Sequence, residues 1–234
     1  MKRIEIVARQ PYSVQIAPGL LETAGAEIAK KIGPCRAVLV TDDIVQALYA
    51  DRVQAALERV GFSVRQFVFA HGEASKTLQT YASLLQFLSE QAISRSDLLV
   101  ALGGGVVGDL TGFAAATYQR GIAFVQIPTT LLAAVDASVG GKTAVDLPGG
   151  KNQVGCFYSP IAVLCDPAVF ASLPQREYRC GCAEIIKYGM IGDAALLQQL
   201  LQQPVRAQWE SVLVRCMKEG TMVRSVAKME LGKR

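Results

Sequence analysis

Short apolar runs alternate with amphipathic stretches along the first three quarters of the chain. Lys2 to Val7 and Tyr12 to Ile16 have strand patterning broken by Pro11, and Pro18-Gly19 turns the chain. Leu20 to Lys31 carries apolar residues at helical spacing and is stopped by Gly33-Pro34. Arg36 to Thr41 predicts a strand, Asp43 to Val60 an amphipathic helix ended by Gly61, Val64 to Phe69 a strand, and Ser75 to Glu90 a helix. Asp97 to Leu102 is the next strand, Gly108 to Thr117 a Gly- and Ala-rich helix, Ile122 to Ile127 a strand ended by Pro128, and Ile161 to Cys165 a last short strand. Strands alternating with helices predict an α/β fold, a Rossmann-like parallel sheet covered on both faces. After about residue 174 the pattern turns wholly helical: Arg176 to Met190, Ala194 to Gln202, and a long stretch from Val205 to Leu231. The expected division is residues 1–173 as an α/β domain and 174–234 as the first part of a helical one.

In sheets of this kind ligands bind at the carboxyl ends of the strands. The polar residues gather there: Asp42 after one strand, His71-Gly72-Glu73 after another, Gly103-Gly104-Gly105-Val106-Val107-Gly108-Asp109 after a third, Thr129-Thr130 after a fourth. Glycines at a strand end let a ligand approach the backbone, and the following helix offers free N–H groups to an anion. This is a cradle for a diphosphate. It is not the usual dinucleotide fingerprint, because it sits on a third or later α/β unit and no acidic residue stands about 20 positions further on. Asp109 by itself is also explained as a favourable charge near a helix start.

Composition narrows the class. The chain has 234 residues, 51% hydrophobic and 19% charged, enough for a large core and against wholesale disorder. A net charge of +4, with no basic stripe interleaved with aromatics, argues against nucleic acid as a partner. The start lacks the apolar core of a signal peptide, and no apolar run reaches spanning length, so no membrane association is expected. The six cysteines lack a C-x-x-C pair and read as reduced thiols, which suits the cytoplasm.

Three further segments carry chemistry. Asp136-Ala137-Ser138-Val139-Gly140-Gly141-Lys142-Thr143 ends like a phosphate loop, yet position 136 is Asp where that loop needs Gly, which excludes the ATPase reading. With Gly149-Gly150-Lys151-Asn152 it instead predicts a compact glycine-loop anion site: lysines for phosphate, asparagine for a hydroxyl or carboxylate. Glu184 and Lys187 stand three apart on a helix, either as an ion pair or as a metal carboxylate beside a substrate lysine. With His71 the sole histidine, these residues do not supply the two histidines and a carboxylate that zinc often takes. Arg120-Gly121 lies on a turn, where the arginine reads equally as a phosphate ligand or as plain surface.

The segments GGGVVGDLTGFAAATYQRG, IPTTLLAAVDASVGGKTAVDLPGGKN, GCFYSP and GCAEIIKYG, in that order, closely resemble the 3-dehydroquinate synthase family, as do TDD at 41–43 and GEASKTL at 72–78. The resemblance covers nearly the whole chain. It implies an N-terminal NAD domain, an all-helical second domain, and conversion of 3-deoxy-D-arabino-heptulosonate 7-phosphate to 3-dehydroquinate in the shikimate route to aromatic amino acids. Transient oxidation by NAD, phosphate elimination, re-reduction and an intramolecular aldol make up the reaction, with a zinc or cobalt ion polarising substrate oxygens. It implies that Asp42, Glu73 and Lys76 hold the adenosine side. Gly104, Gly105, Val106 and Asp109 would cradle the pyrophosphate and ribose, and Thr129, Thr130 and Leu132 would line the cofactor site. Asp136 would sit near nicotinamide and substrate. Lys142, Lys151, Asn152 and Lys187 would bind the substrate, the first two also touching cofactor. Glu184 would be the first metal ligand, and Arg120 would reach a phosphate across a homodimer interface.

The departures concern the C-terminal part. The family's N-x-G-H-T-x-G-H-A segment and a later histidine, which supply metal ligands, are absent, and Val226 to Arg234 is divergent. The resemblance thus implies an intact NAD half beside an incomplete metal site, in a fragment or a chain with a disrupted end. Three alternatives stay open: a related cyclase making an inosose or valiolone, a metal-dependent polyol dehydrogenase, and an inactive NAD-binding remnant.

Overall fold

The computed structural model describes residues 1–231 apart from Val7 and Arg9, and over 221–231 it describes the backbone alone. The last residue of the first strand pattern and the whole of the divergent 226–234 segment therefore lie outside the described side chains.

A seven-stranded sheet is built from β1 (Lys2–Ile6), β2 (Tyr12–Ile16), β3 (Arg36–Asp42), β4 (Ser63–Phe69), β5 (Leu98–Gly103), β6 (Ala123–Pro128) and β9 (Ala162–Cys165), in the order β1-β2-β9-β6-β5-β3-β4. Only β1 runs antiparallel to its neighbour. The α/β, Rossmann-like class expected from the pattern is the fold observed. Residues of the central strands alternate between two cores, as a period of two requires. Leu39, Val100 and Ile127 face one core, while Val38, Leu99 and Phe124 face the other. Both faces are buried, which is why these strands read as unbroken apolar runs.

Helices α1 (Leu20–Ala29), α2 (Asp43–Val45) and α3 (Asp51–Glu58) follow β2 and β3, and α4 (Leu78–Glu90) and α5 (Gly105–Thr117) flank β5. The predicted helix from Asp43 to Val60 is a continuous one with a π-turn, Gln46–Ala50, inside it. The helix expected from Ser75 begins instead at Leu78, because Thr77 Oγ1 accepts the Thr80 N–H at 3.2 Å and caps it. Helix α5 starts three residues earlier than its apolar pattern, since glycines carry no apolar signal. Three helices close the chain: α6 (Gln175–Ile191), α7 (Ala194–Gln202) and α8 (Trp209–Leu231). Their Ile185, Leu196, Val212 and Cys216 join the same core as Ile127 and Leu131 of the sheet side. A 3₁₀ turn at Val205–Ala207 interrupts the long helical stretch expected there.

One expectation is corrected. The segment read as a glycine loop is a β-hairpin of β7 (Lys142–Leu147) and β8 (Gly150–Phe157). It lies on α5, where Gly112 leaves room for it: a Cβ there would fall 2.4 Å from Thr143 Cγ2. The glycines hid an alternation in which Thr143 and Val145 are buried while Lys142 is exposed.

Asp166 ties the last strand to the first helix. Its carboxylate, 1% exposed, accepts the Leu21 N–H at 3.2 Å and the Ala168 N–H at 3.0 Å. Asp166→Ala strands a buried N–H and removes a cap. It should cost about 2 kcal/mol in urea unfolding, with Asp166→Asn recovering part of the loss.

Candidate functional site

The chain crosses from β4 back over β3 to β5, so the strand order reverses between β3 and β5, where open α/β sheets place a ligand crevice. Asp42 and Gly103 end those two strands on the same edge of the sheet, and Gly103 is in register with Pro128 of β6. Gly104 precedes α5 in an extended conformation with no side-chain cap, which leaves the first amides of the helix, at Gly105 and Val106, without a side-chain acceptor. Thr129 donates its N–H to Gly103 O at 3.0 Å, and Thr130 Oγ1 accepts the Ala133 N–H at 3.1 Å. A Cβ on Gly104 would lie 3.1 Å from Thr130 Cγ2, so glycine keeps this mouth open. These groups fit a diphosphate. Asp42 caps α2 by accepting the Val45 N–H at 2.9 Å, and burial raises its carboxyl pKa. Leu132 is exposed at the same edge.

Behind the glycines lies a polar knot around the buried Lys76. Lys76 Nζ is 2.5 Å from Asp109 Oδ2 and 2.5 Å from Asn152 Oδ1. The lysine side chain is 5% exposed and the aspartate side chain 20%. Burial pushes the Asp109 carboxyl upward, and the Lys76 charge pulls it back. The hairpin register shifts between Val145 and Leu147, which frees the Asp146 backbone to donate to Lys76 O at 2.8 Å. Asp146 Oδ1 in turn accepts the Asn152 N–H at 2.7 Å, holding Asn152 at φ 56° in the left-handed region. Lys76, placed on the adenosine side by the sequence reading, thus directs its ammonium to Asp109 and Asn152. Glu73 and Lys151 form an exposed ion pair at 3.1 Å.

A cleft of about 700 Å³ opens beside this knot. It gathers Asp109, Asp136, Lys142, Asn152 and Lys187, five of the residues singled out in the sequence, from α5, a π-turn at Ala133–Ala137, the hairpin and α6. Two cations and two carboxylates around one concavity suit a polar, anionic ligand with hydroxyl groups. Lys187 also pairs with Glu184 one turn earlier on α6. Among the described residues no group of three or more His, Cys, Asp or Glu is placed to hold a metal ion, so Glu184 stands as one carboxylate and the residues do not fit a complete metal site. Arg120 is not brought to the cleft. It is exposed on the α5–β6 turn, at the amino ends of the strands, with φ 64°.

Sequence reasoning missed Tyr188 and the wall formed by Thr143, Cys156 and Phe157. The Tyr188 hydroxyl donates to Asp136 Oδ1 at 2.7 Å. Its position next to Lys187 was visible. Its return to a residue 52 positions earlier had no signal in the chain.

Residues 66–180 match the family model for the N-terminal region of 3-dehydroquinate synthase. A 3-dehydroquinate synthase of Caulobacter vibrioides is 52% identical over 195 residues, covering 83% of this chain and 53% of that protein. The chain spans about half the length of the curated relatives it matches. A solved 2-deoxy-scyllo-inosose synthase, complexed with carbaglucose-6-phosphate, NAD+ and Co2+, superposes with a TM-score of 0.84 at 26% identity, covering 95% of this chain and 62% of that one. ValA, a 2-epi-5-epi-valiolone synthase of Streptomyces hygroscopicus subsp. jinggangensis with NAD+ and Zn2+ bound, gives 0.80 at 30% identity, over 93% and 62%. About half of the aligned residues are identical to such synthases over more than four-fifths of its length, on the fold of the two solved synthases above, and this chain belongs to the 3-dehydroquinate synthase family.

Proposed function

We propose that the chain is the NAD-binding part of a 3-dehydroquinate synthase, a cytoplasmic lyase acting on 3-deoxy-D-arabino-heptulosonate 7-phosphate. Residues 1–173 are the NAD unit, and residues 174–234 begin the helical metal and substrate domain. The observation that carries the reading is the cleft holding Asp109, Asp136, Lys142, Asn152 and Lys187 beside the uncapped start of α5. The cytoplasmic assignment rests on six free cysteines and on the lack, among the described residues, of any helix long and apolar enough to cross a membrane.

When bound, NAD supplies reversible oxidation of a ring hydroxyl. The amides of Gly105 and Val106 bind its diphosphate, with Gly104, Thr129, Thr130 and Leu132 lining the approach. Asp42, Glu73 and Lys151 border the adenosine end, and Lys76 keeps Asp109 in place. Lys142 and Lys187 draw the anionic substrate into the cleft. Asp136 accepts from a substrate hydroxyl. Asn152, its oxygen already engaged by Lys76, has its amide hydrogens left to donate. Phosphate elimination and aldol closure then take place on a substrate these groups orient. The zinc or cobalt of the family would need ligands besides Glu184, and no step here is assigned to it. Arg120, remote from its own cleft, would serve a partner in a homodimer.

Calorimetric titration with NAD, with and without zinc, tests the reading. Saturable binding that zinc changes less than about twofold is expected. Net NADH formation from a polyol would instead favour a dehydrogenase, and absence of NAD binding would sink the proposal.

A further inference from the structure

We infer that Tyr188 is a positioning residue that holds Asp136 in the cleft, an inference that rests on the cleft being the substrate site. The Asp136 carboxylate lies on the π-turn Ala133–Ala137, a wider and less regular turn than an α-helix provides. An external partner fixes the orientation of a carboxylate on such a turn. Tyr188 provides it from a separate element, α6, through its hydroxyl 2.7 Å from Asp136 Oδ1.

Tyr188 is itself fixed. It is 2% exposed and belongs to the core shared with Ile185, Leu131 and Val135. Gly220 of α8 faces its hydroxyl, and a Cβ at that position would lie 3.0 Å from the oxygen. The ring also seats the neighbouring Lys187, whose ammonium is 4.8 Å from its centroid. One buried side chain therefore touches both a carboxylate and a cation at the cleft wall, the cation being paired with Glu184 as well. It links the helices after residue 174 to the carboxyl-end turn of the sheet. A donor engaged on Oδ1 fixes the plane of the carboxylate, so that a ligand hydroxyl would meet it in one orientation.

The test uses the full chain, NAD+ and 3-deoxy-D-arabino-heptulosonate 7-phosphate, with binding read by calorimetry in a double-mutant cycle. Tyr188→Phe keeps the ring and its packing and removes only the hydroxyl. It should weaken sugar-phosphate binding about tenfold while NAD+ binding changes less than about twofold. Asp136→Ala should weaken sugar-phosphate binding more. In the double variant the added loss from Tyr188→Phe should fall below about twofold, because the hydroxyl acts through Asp136. A merely structural tyrosine would give losses that multiply. Gly220→Ala, which crowds the same hydroxyl without removing it, should weaken the sugar phosphate severalfold and spare NAD+. Wild-type affinity in Tyr188→Phe, or multiplying losses, would overturn the inference. If the wild-type chain binds NAD+ but not the sugar phosphate, the substrate reading of the cleft fails first and takes the role of Tyr188 with it.

Discussion

Lys76→Met is expected to destabilise the protein by about 3 kcal/mol at neutral pH, at the low end for breaking a buried pair because Asp109 retains some solvent. Methionine keeps most of the buried stem and removes the charge that compensates Asp109. The Asn152 oxygen loses its donor in the same change. The loss should depend on pH. Burial already raises the Asp109 carboxyl above its unfolded value, and Lys76 opposes that rise. Without Lys76 the folded carboxyl moves higher still. A carboxyl raised on folding binds a proton that the unfolded chain has released, so its contribution is fully present below the unfolded value and is lost as pH rises through the folded one. The deficit of Lys76→Met should therefore be smaller near about pH 4 than near about pH 7. Urea unfolding at both values measures it. Equal deficits at the two values would mean that Asp109 is not the group left uncompensated.

Gly105→Asp should lower NAD affinity by about a hundredfold, or roughly 2.7 kcal/mol, while leaving the fold intact. Space permits the change: a Cβ at Gly105 would be in ordinary contact with Ala137 Cβ at 3.5 Å, and the backbone is helical. A carboxylate in the first turn is favourable to a helix start, so the thermal midpoint should hold or rise slightly. The same carboxylate would take up the amides proposed for the diphosphate and repel it. Calorimetry beside thermal unfolding separates the two effects. Undiminished NAD binding in a folded Gly105→Asp variant would show that the cofactor does not use this helix end.

Both variants act where the chain brings distant segments together, and only one of the two positions was legible in advance. The glycine run was legible because a strand followed by glycines and a helix puts a close backbone turn at the carboxyl edge of an α/β sheet. Asp42 and Thr129-Thr130 were legible for the same reason: each ends an apolar strand, and parallel strands present their carboxyl ends on one edge. Asp109 and Lys76 were each visible as charged residues near that edge, yet nothing in their spacing said that they pair. That contact needs Lys76, just after the Glu73–Ser75 turn, to reach Asp109 on α5, 33 positions away.

The sequence by itself determined the alternation of strands and helices, the parallel sheet, the edge at which the polar residues gather and, through long motifs in order, the family. These are properties of local periodicity and short-range backbone geometry, and they survive reading along one dimension. The tertiary structure alone decided that the glycine-rich 142–157 segment is a hairpin lying on α5, that Lys76 turns to Asp109 and Asn152, that Arg120 faces away from the cleft, and that Tyr188 reaches back to Asp136. Those are outcomes of packing between elements far apart in the chain, where the partner of a buried polar group is set by which surfaces meet rather than by its neighbours in sequence.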